Sequence, residues 1–313
     1  MGMEADVAAL ALPRPLRHWA EATFHALIQP ADGPAVDFTQ PAGEAALAAP
    51  DSIAWQVFRN PVALFIGGVA AAILELAEPR VRAGVWNHTS FRTDPARRLQ
   101  RTGLAAMVTV YGARSGAEAM IARVGRAHEA VRGHTEAGLP YRADDPLLLD
   151  WVQATACFGF LTAYCRFVRP LPLPAQDRFY AEAMPAARLY GATGAPASSA
   201  GMEACFSAMR TRLEPSPVLS EFLTIMQQAP ILPLGLRPLQ RMMVRGAVAI
   251  TPGWAQALLG LEDRLQPWEA WLLRQTGRMA DRVLLESSPA VQACHRLGLP
   301  PRILLAHRAG MER

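Results

Sequence analysis

Apolar residues recur along this chain with a helical period, and no strict alternation of apolar and polar positions runs for more than a few residues. The clearest segment opens at Asn60-Pro61, a capping side chain followed by a first-turn proline, and closes at Glu78-Pro79. Gly67-Gly68 in its middle weaken a helix by about 1 kcal/mol each relative to alanine. Such a pair suits a tight helix–helix crossing, or the close approach of another group to the backbone. A second helix is expected over 95–112 behind Asp94-Pro95. A third is expected over 115–132, with Ser115 as cap, Glu118 in the reciprocal capping position and Gly133 as terminator. After the loop GHTEAGLPYRADD, Asp145-Pro146 starts a long helix to about Val168, with Trp151, Phe158 and Leu161 on its apolar side; Pro170, Pro172 and Pro174 break it. Further helices are expected at 16–28, 175–191, 200–212, 217–228, 236–248, 253–260, 267–285 and 289–297. The pattern describes an all-α protein: one compact multi-helix domain over 51–313, preceded by a Pro- and Ala-rich arm or lid over 1–50.

The most apolar stretch, Pro61–Leu74 between Arg59 and Glu75, is shorter than the ~20 residues a spanning helix needs, so it reads as a buried helix. A hydrophobic fraction of 51% against 19% charged residues calls for a large apolar interior, an apolar ligand cavity or contact with a membrane surface. All 31 basic residues are arginine, so no step here uses a lysine amine as base, Schiff-base former or metal ligand. The formal charge of +4 is modest and no basic block is interleaved with aromatics, which argues against nucleic acid as a partner. Cys157, Cys165, Cys205 and Cys294 have no C-x-x-C spacing and read as reduced, small apolar residues. MGMEADVAALALPRP lacks the cationic start and cleavage site of a signal peptide. The expected location is cytoplasmic, with peripheral membrane contact left open.

One histidine stands out. On a 3.6-residue period Ala117, Met120, Ile121, Val124, His128 and Val131 share a face, while Arg123, Arg126, Glu129 and Arg132 lie off it. The His128 imidazole therefore points where the aliphatics point, and there it needs a partner: a carbonyl, a side chain or a metal. No Glu-x-x-His pair for a di-iron site, no H-E-x-x-H and no clustered cysteines are present. A single buried histidine suffices for haem, whose porphyrin brings the other four ligands. On the helix over 95–112, Arg98, Arg101 and Thr102 fall within one turn beside Leu99, Gly103, Ala106 and Val110, a cationic cap over an apolar surface or simply a solvated face.

PVALFIGGVAAAILELAEPRVRAGVWNHTSFRTDPARRLQRT, then VGRAHEAVRG, GLPYRADDPLLLDWVQAT and TAYCRF, resemble the oxygenase family of the bacterial latex-clearing proteins (rubber oxygenases) and the endoplasmic-reticulum-bound oxygenase of mycophenolic acid biosynthesis. The resemblance covers roughly residues 55–260 and rests on an ordered series of motifs rather than one short signature. It implies an all-helical fold with a buried pocket for haem b and one axial histidine in the H-x-x-V-R stretch. That places the iron ligand at His128 and makes Arg132 a candidate cofactor contact. Over the other haem face the rubber oxygenases carry an arginine and a lysine–threonine pair, matched here by Arg98, Arg101 and Thr102. Arg101 is a departure: the family's lysine can act as a sixth ligand and a guanidinium does not, so a five-coordinate or water-ligated resting iron is implied. Gln153 and Glu78 stand where many relatives have histidine. Glu78 is a candidate for the family's catalytic carboxylate, and equally a helix-end residue. His88 recurs in the pattern and is expected to make a structural hydrogen bond.

The activity so implied is a haem-dependent oxygenase using dioxygen, an apolar substrate and an electron donor for the iron; in relatives an alkene is cleaved to carbonyl products. Arg98 or Arg101 would stabilise developing negative charge, Thr102 would donate or relay a proton, and substrate would lie against Phe65, Ile66 and Leu104. Two rival readings stand beside it. One is a non-catalytic binder of haem or an apolar ligand, with the arginines on propionates. The other is an all-α isoprenoid enzyme with a magnesium site at DDPLLLD, residues 144–150. There, however, Asp145 sits in a capping position and Asp150 lies five residues on, off the face a shared cation needs.

Overall fold

The computed structural model describes residues 9–28 and 35–305; the first eight residues of the expected arm lie outside them. The described chain is helical almost throughout. In order the helices are α1 (Arg14–Ile28), α2 (Ile53–Phe58), α3 (Pro61–Ala77), α4 (Pro79–His88), α5 (Pro95–Tyr111), α6 (Arg114–Glu129), α7 (Pro146–Phe167), α8 (Leu173–Leu189), α9 (Ser199–Met209), α10 (Pro217–Gln228), α11 (Arg237–Ile250), α12 (Gly253–Leu259), α13 (Pro267–Ala280) and α14 (Pro289–Arg296).

The proline caps work as expected. Asn60 Oδ1 accepts from Ala63 N at 3.1 Å, Asp94 Oδ1 from Arg97 N at 3.2 Å and Asp145 Oδ1 from Leu147 N at 2.9 Å. Glu78-Pro79 has a double role. It ends α3 and also caps α4, a helix absent from the sequence reading: Glu78 Oε2 accepts from the amides of Arg80 and Val81 at 2.7 and 2.9 Å. Ser115 is not a cap. α6 starts one residue earlier behind Ala113, which makes no side-chain bond, and Ser115 donates from both its amide and its hydroxyl to the Glu44 carboxylate, at 2.6 and 3.0 Å. Nor does α6 run to 132. It ends at Glu129, and Arg132–His134 (β1) instead pairs antiparallel with Pro140–Arg142 (β2), Gly133 opposite Tyr141. Gly133 is needed there, because a Cβ would fall 2.7 Å from the Tyr141 hydroxyl. The expected helix over 267–285 stops at Ala280.

α3 and α7 form the central pair, running antiparallel. The contact is made by glycines: a Cβ on Gly67 would meet Phe160 Cα at 2.7 Å, and one on Gly159 would collide with the Gly67 carbonyl. Gly67 therefore serves the tight crossing. Trp151 Nε1 donates to Leu74 O at 3.2 Å farther along the same seam. By length and mean hydropathy α7 could cross a membrane, but half of its apolar window is buried inside the protein, as expected of a core helix. α11 and α13 pack against this pair, Gly277 closing on the Phe167 carbonyl. Residues ahead of α2 are tied in by Arg296, 3% exposed, which donates to the carbonyls of Glu44, Phe38 and Tyr111 at 2.8, 2.6 and 2.7 Å.

Candidate functional site

α5 and α6 form a helical hairpin around Gly112-Ala113. Arg98 lies thirteen residues before Tyr111, and His128 fourteen after Arg114. At 1.5 Å per residue both are about 20 Å from the turn, so the hairpin brings them to the same end. The electrostatics agree: the Arg98 charge lies close enough to lower the His128 pKa. Burial of the ring is the larger cause of that lowering, and Asp144 opposes it. The imidazole is thus held neutral with a free lone pair, and no described residue makes a hydrogen bond to it.

This end of the hairpin is under-packed. Of the sixteen residues of α6 only Ala117 and Ile121 are buried, while Val124 and His128 are half-buried. A Cβ added to Gly125, one turn before His128, or to Gly103 on α5 would meet nothing within 4 Å. The aliphatic face expected from the sequence is packed at Ala117, Met120 and Ile121, and beside Gly125 it faces open space.

Arg98 and Thr102 act as one unit. The Arg98 guanidinium donates to the Thr102 hydroxyl, which in turn donates to the Arg98 carbonyl at 2.9 Å. Burial and the neighbouring Arg101 both lower the Arg98 pKa, burial more, and Glu75 opposes them. Arg101 and Thr102 are exposed at this end of α5. Arg132, no longer on α6, is exposed on β1; its Nη2 donates to Glu129 O at 3.1 Å, and its charge reaches Asp144.

Glu75, in the last turn of α3, is the carboxylate that belongs to this cluster. Thr155 Oγ1 donates to its Oε1 at 3.3 Å. Protein atoms crowd the carboxyl although part of the residue still touches solvent, and burial pushes its pKa up to about 7 against the opposing Arg98 charge. Glu78, the candidate named from the sequence, is occupied by its cap and by Arg80 Nε at 2.8 Å, the helix-end role. The missed signal was plain: Glu75 is the sole charge in the run PVALFIGGVAAAILELA. Gln153 points its amide at Cys157 Sγ, 3.2 Å away. His88 Nε2 lies 3.0 Å from the Tyr141 hydroxyl, the structural bond expected of it. Of the three expected substrate contacts, Ile66 is fully buried, Phe65 borders a separate cavity beneath α1, and Leu104 lies half-buried on α5.

No group of three or more His, Cys, Asp or Glu able to hold a metal ion occurs among the described residues. The described residues thus offer a bare ion no ligand set, whereas one neutral imidazole without a partner among them suits an iron whose other ligands come with its macrocycle. The magnesium alternative loses its carboxylates: Asp144 pairs with Arg142 at 2.6 Å, Asp145 caps α7, and Asp150 accepts from Gly194 N at 2.9 Å.

The family model described as "ER-bound oxygenase mpaB/B'/Rubber oxygenase, catalytic domain" matches residues 55–282, well over half of the chain. No curated protein and no solved structure matches it.

Proposed function

The chain belongs to the family of mpaB-type ER-bound oxygenases and rubber oxygenases, and from that premise we propose that it is a haem b-dependent oxygenase acting on an apolar substrate, with His128 as the protein ligand of the iron. The observation that carries the reading is a neutral imidazole without a protein partner, at the end of the α5–α6 hairpin where Arg98 and Glu75 also meet. Haem bound there supplies the activation of dioxygen.

The chain's own residues do the rest. The lowered pKa of His128 keeps its lone pair available at neutral pH. Arg98, held by Thr102, presents a fixed positive charge to negative charge that develops in the cleft. Arg101 adds a second cation, and the exposed Arg132 on β1 would be the partner for a propionate. Glu75 titrates near neutrality, so its carboxyl can take up or release a proton at Oε2 while Thr155 holds Oε1. Leu99 and Leu104 give an apolar substrate its surface on α5.

The test is an absorption spectrum of the purified protein with and without dithionite and carbon monoxide. A Soret band is expected, and His128→Ala is expected to remove about nine-tenths of it with the fold intact by circular dichroism. A His128→Ala protein that keeps its full haem would refute the assignment. Oxygen consumption with an alkene-bearing apolar substrate separates the oxygenase from a passive haem carrier.

A further inference from the structure

A cavity of about 290 Å³ lies beneath α1, at the opposite end of α3 from Glu75. Val62 and Phe65 on the first turns of α3 form one wall, Leu239 and Met243 of α11 another, and Trp19 and Phe24 of α1 the roof. Ten residues separate Phe65 from Glu75, on the order of 15 Å of helix, so this is not the cleft at His128. The volume is near the lower end of the ~300–1,000 Å³ of small-molecule sites.

Three polar side chains border it: Thr23, Ser288 and Arg59. Ser288 is committed to capping α14, accepting from Val291 N at 3.4 Å and donating to Leu285 O at 2.7 Å. Arg59 is not fully committed. Its side chain is 5% exposed, yet of the five N–H groups a guanidinium offers one finds a described partner, Nη2 donating to Asp281 Oδ2 at 2.8 Å. Its Nε is buried with no partner among the described residues. Nε itself is sealed off, so the donors Arg59 can offer to the greasy space it lines are the guanidinium N–H groups that Asp281 does not take.

Charge decides what the space accepts. Asp281, itself 6% exposed, already neutralises Arg59. A carboxylate ligand would bring a second negative charge to a single buried cation, whereas a neutral oxygen takes a spare N–H without unbalancing the pair. We propose that the cavity beneath α1 binds one apolar chain carrying a neutral oxygen acceptor, an unbranched alkyl ketone or alcohol, with Arg59 donating to that oxygen. This site is independent of the His128 cleft and of any turnover there.

The test titrates the full-length protein with methyl nonyl ketone and, separately, with decanoate, followed by calorimetry. The ketone is expected to bind at least about tenfold tighter than decanoate. Leu239→Trp, which fills the cavity, is expected to abolish ketone binding. Arg59→Met combined with Asp281→Leu, which removes the pair without stranding a charge, is expected to weaken it about tenfold. Equal binding of the two ligands overturns the neutral headgroup, and undiminished ketone binding by Leu239→Trp overturns the site. If those core variants do not fold, the wild type answers with a brominated ketone. Quenching of tryptophan fluorescence is expected to fall in Trp19→Phe, a change on a surface helix; quenching that is unchanged places the ligand elsewhere.

Discussion

The α3–α7 crossing and the open end of the α5–α6 hairpin are built on opposite principles. In the first, backbone meets backbone, and glycine is required because no Cβ fits between Gly67 and Gly159. In the second, Gly103 and Gly125 face room that a Cβ would not fill. The same residue type thus serves a dense crossing in one place and an open helix face in the other. The helical hairpin is held near its turn by the buried Met107, Val110, Tyr111, Ala117 and Ile121 and by polar ties, Arg296 on the Tyr111 carbonyl and Glu44 on the start of α6. Burial falls away toward the end where the cofactor is proposed to sit.

The sharpest way to break this comparison is to substitute one glycine from each place. Gly159→Val drives a branched side chain into the Gly67 carbonyl and is expected to cost more than about 3 kcal/mol, measured by denaturant unfolding. Gly125→Leu is expected to leave stability within about 1 kcal/mol of wild type, since helix propensity favours it and its Cβ meets open space. It is nevertheless expected to halve haem loading or worse. Two equally damaged proteins would mean that both sites are packed alike.

Next in size is the tie at the turn. Arg296→Met leaves the carbonyls of Phe38, Glu44 and Tyr111 without their donor and is expected to cost about 2–3 kcal/mol by the same measurement. Because this side chain touches the turn and not the open end, haem bound to the folded fraction is expected to keep its wild-type spectrum.

What the sequence made legible follows the same division. Helices opened by Asn60-Pro61, Asp94-Pro95 and Asp145-Pro146 were readable because a cap is local chemistry, made by residues two or three apart. The start of α6 was misread because its capping carboxylate arrives from Glu44, 71 residues earlier, and its end because Gly133 serves the Tyr141 ring in a hairpin rather than a helix terminus. α2 is six residues long, too short for a period to show, and α4 hid behind a Glu-Pro pair taken only as an ending. At the site, the stripe through His128 was visible because helical periodicity carries it. Glu75 is visible as a lone charge in an apolar run, but its role is not, because that comes from Arg98 and Thr155 on two other helices.

A third effect separates buried from exposed carboxylates. Glu75 has a folded pKa of about 7 against an ordinary 4.5, so its ionisation opposes the folded state. The stability it permits is complete below about pH 4.5 and falls as pH rises to about 7, by up to about 2 kcal/mol once the solvent in the cleft is allowed for. Glu75→Gln is expected to flatten that slope in unfolding measurements across this window. It is also expected to abolish any inflection near pH 7 in oxygen consumption.

The smallest effect has the opposite sign. Glu44 accepts from the Ser115 amide, its larger cause of a lowered pKa, and from the Ser115 hydroxyl, with Arg296 and Arg114 adding a little. A depressed carboxyl pKa contributes stability above the ordinary value of 4.5 and loses it as pH falls through the folded value. Glu44→Gln is therefore expected to melt slightly below wild type at pH 7 and to converge with it in acid, the reverse of Glu75→Gln. Salt is expected to shrink the Glu44 difference, because its carboxylate faces solvent, and to leave the Glu75 slope largely unchanged. If both differences shrink alike, the cleft around Glu75 is as wet as the surface, and the contrast between a crowded carboxyl and an open one fails.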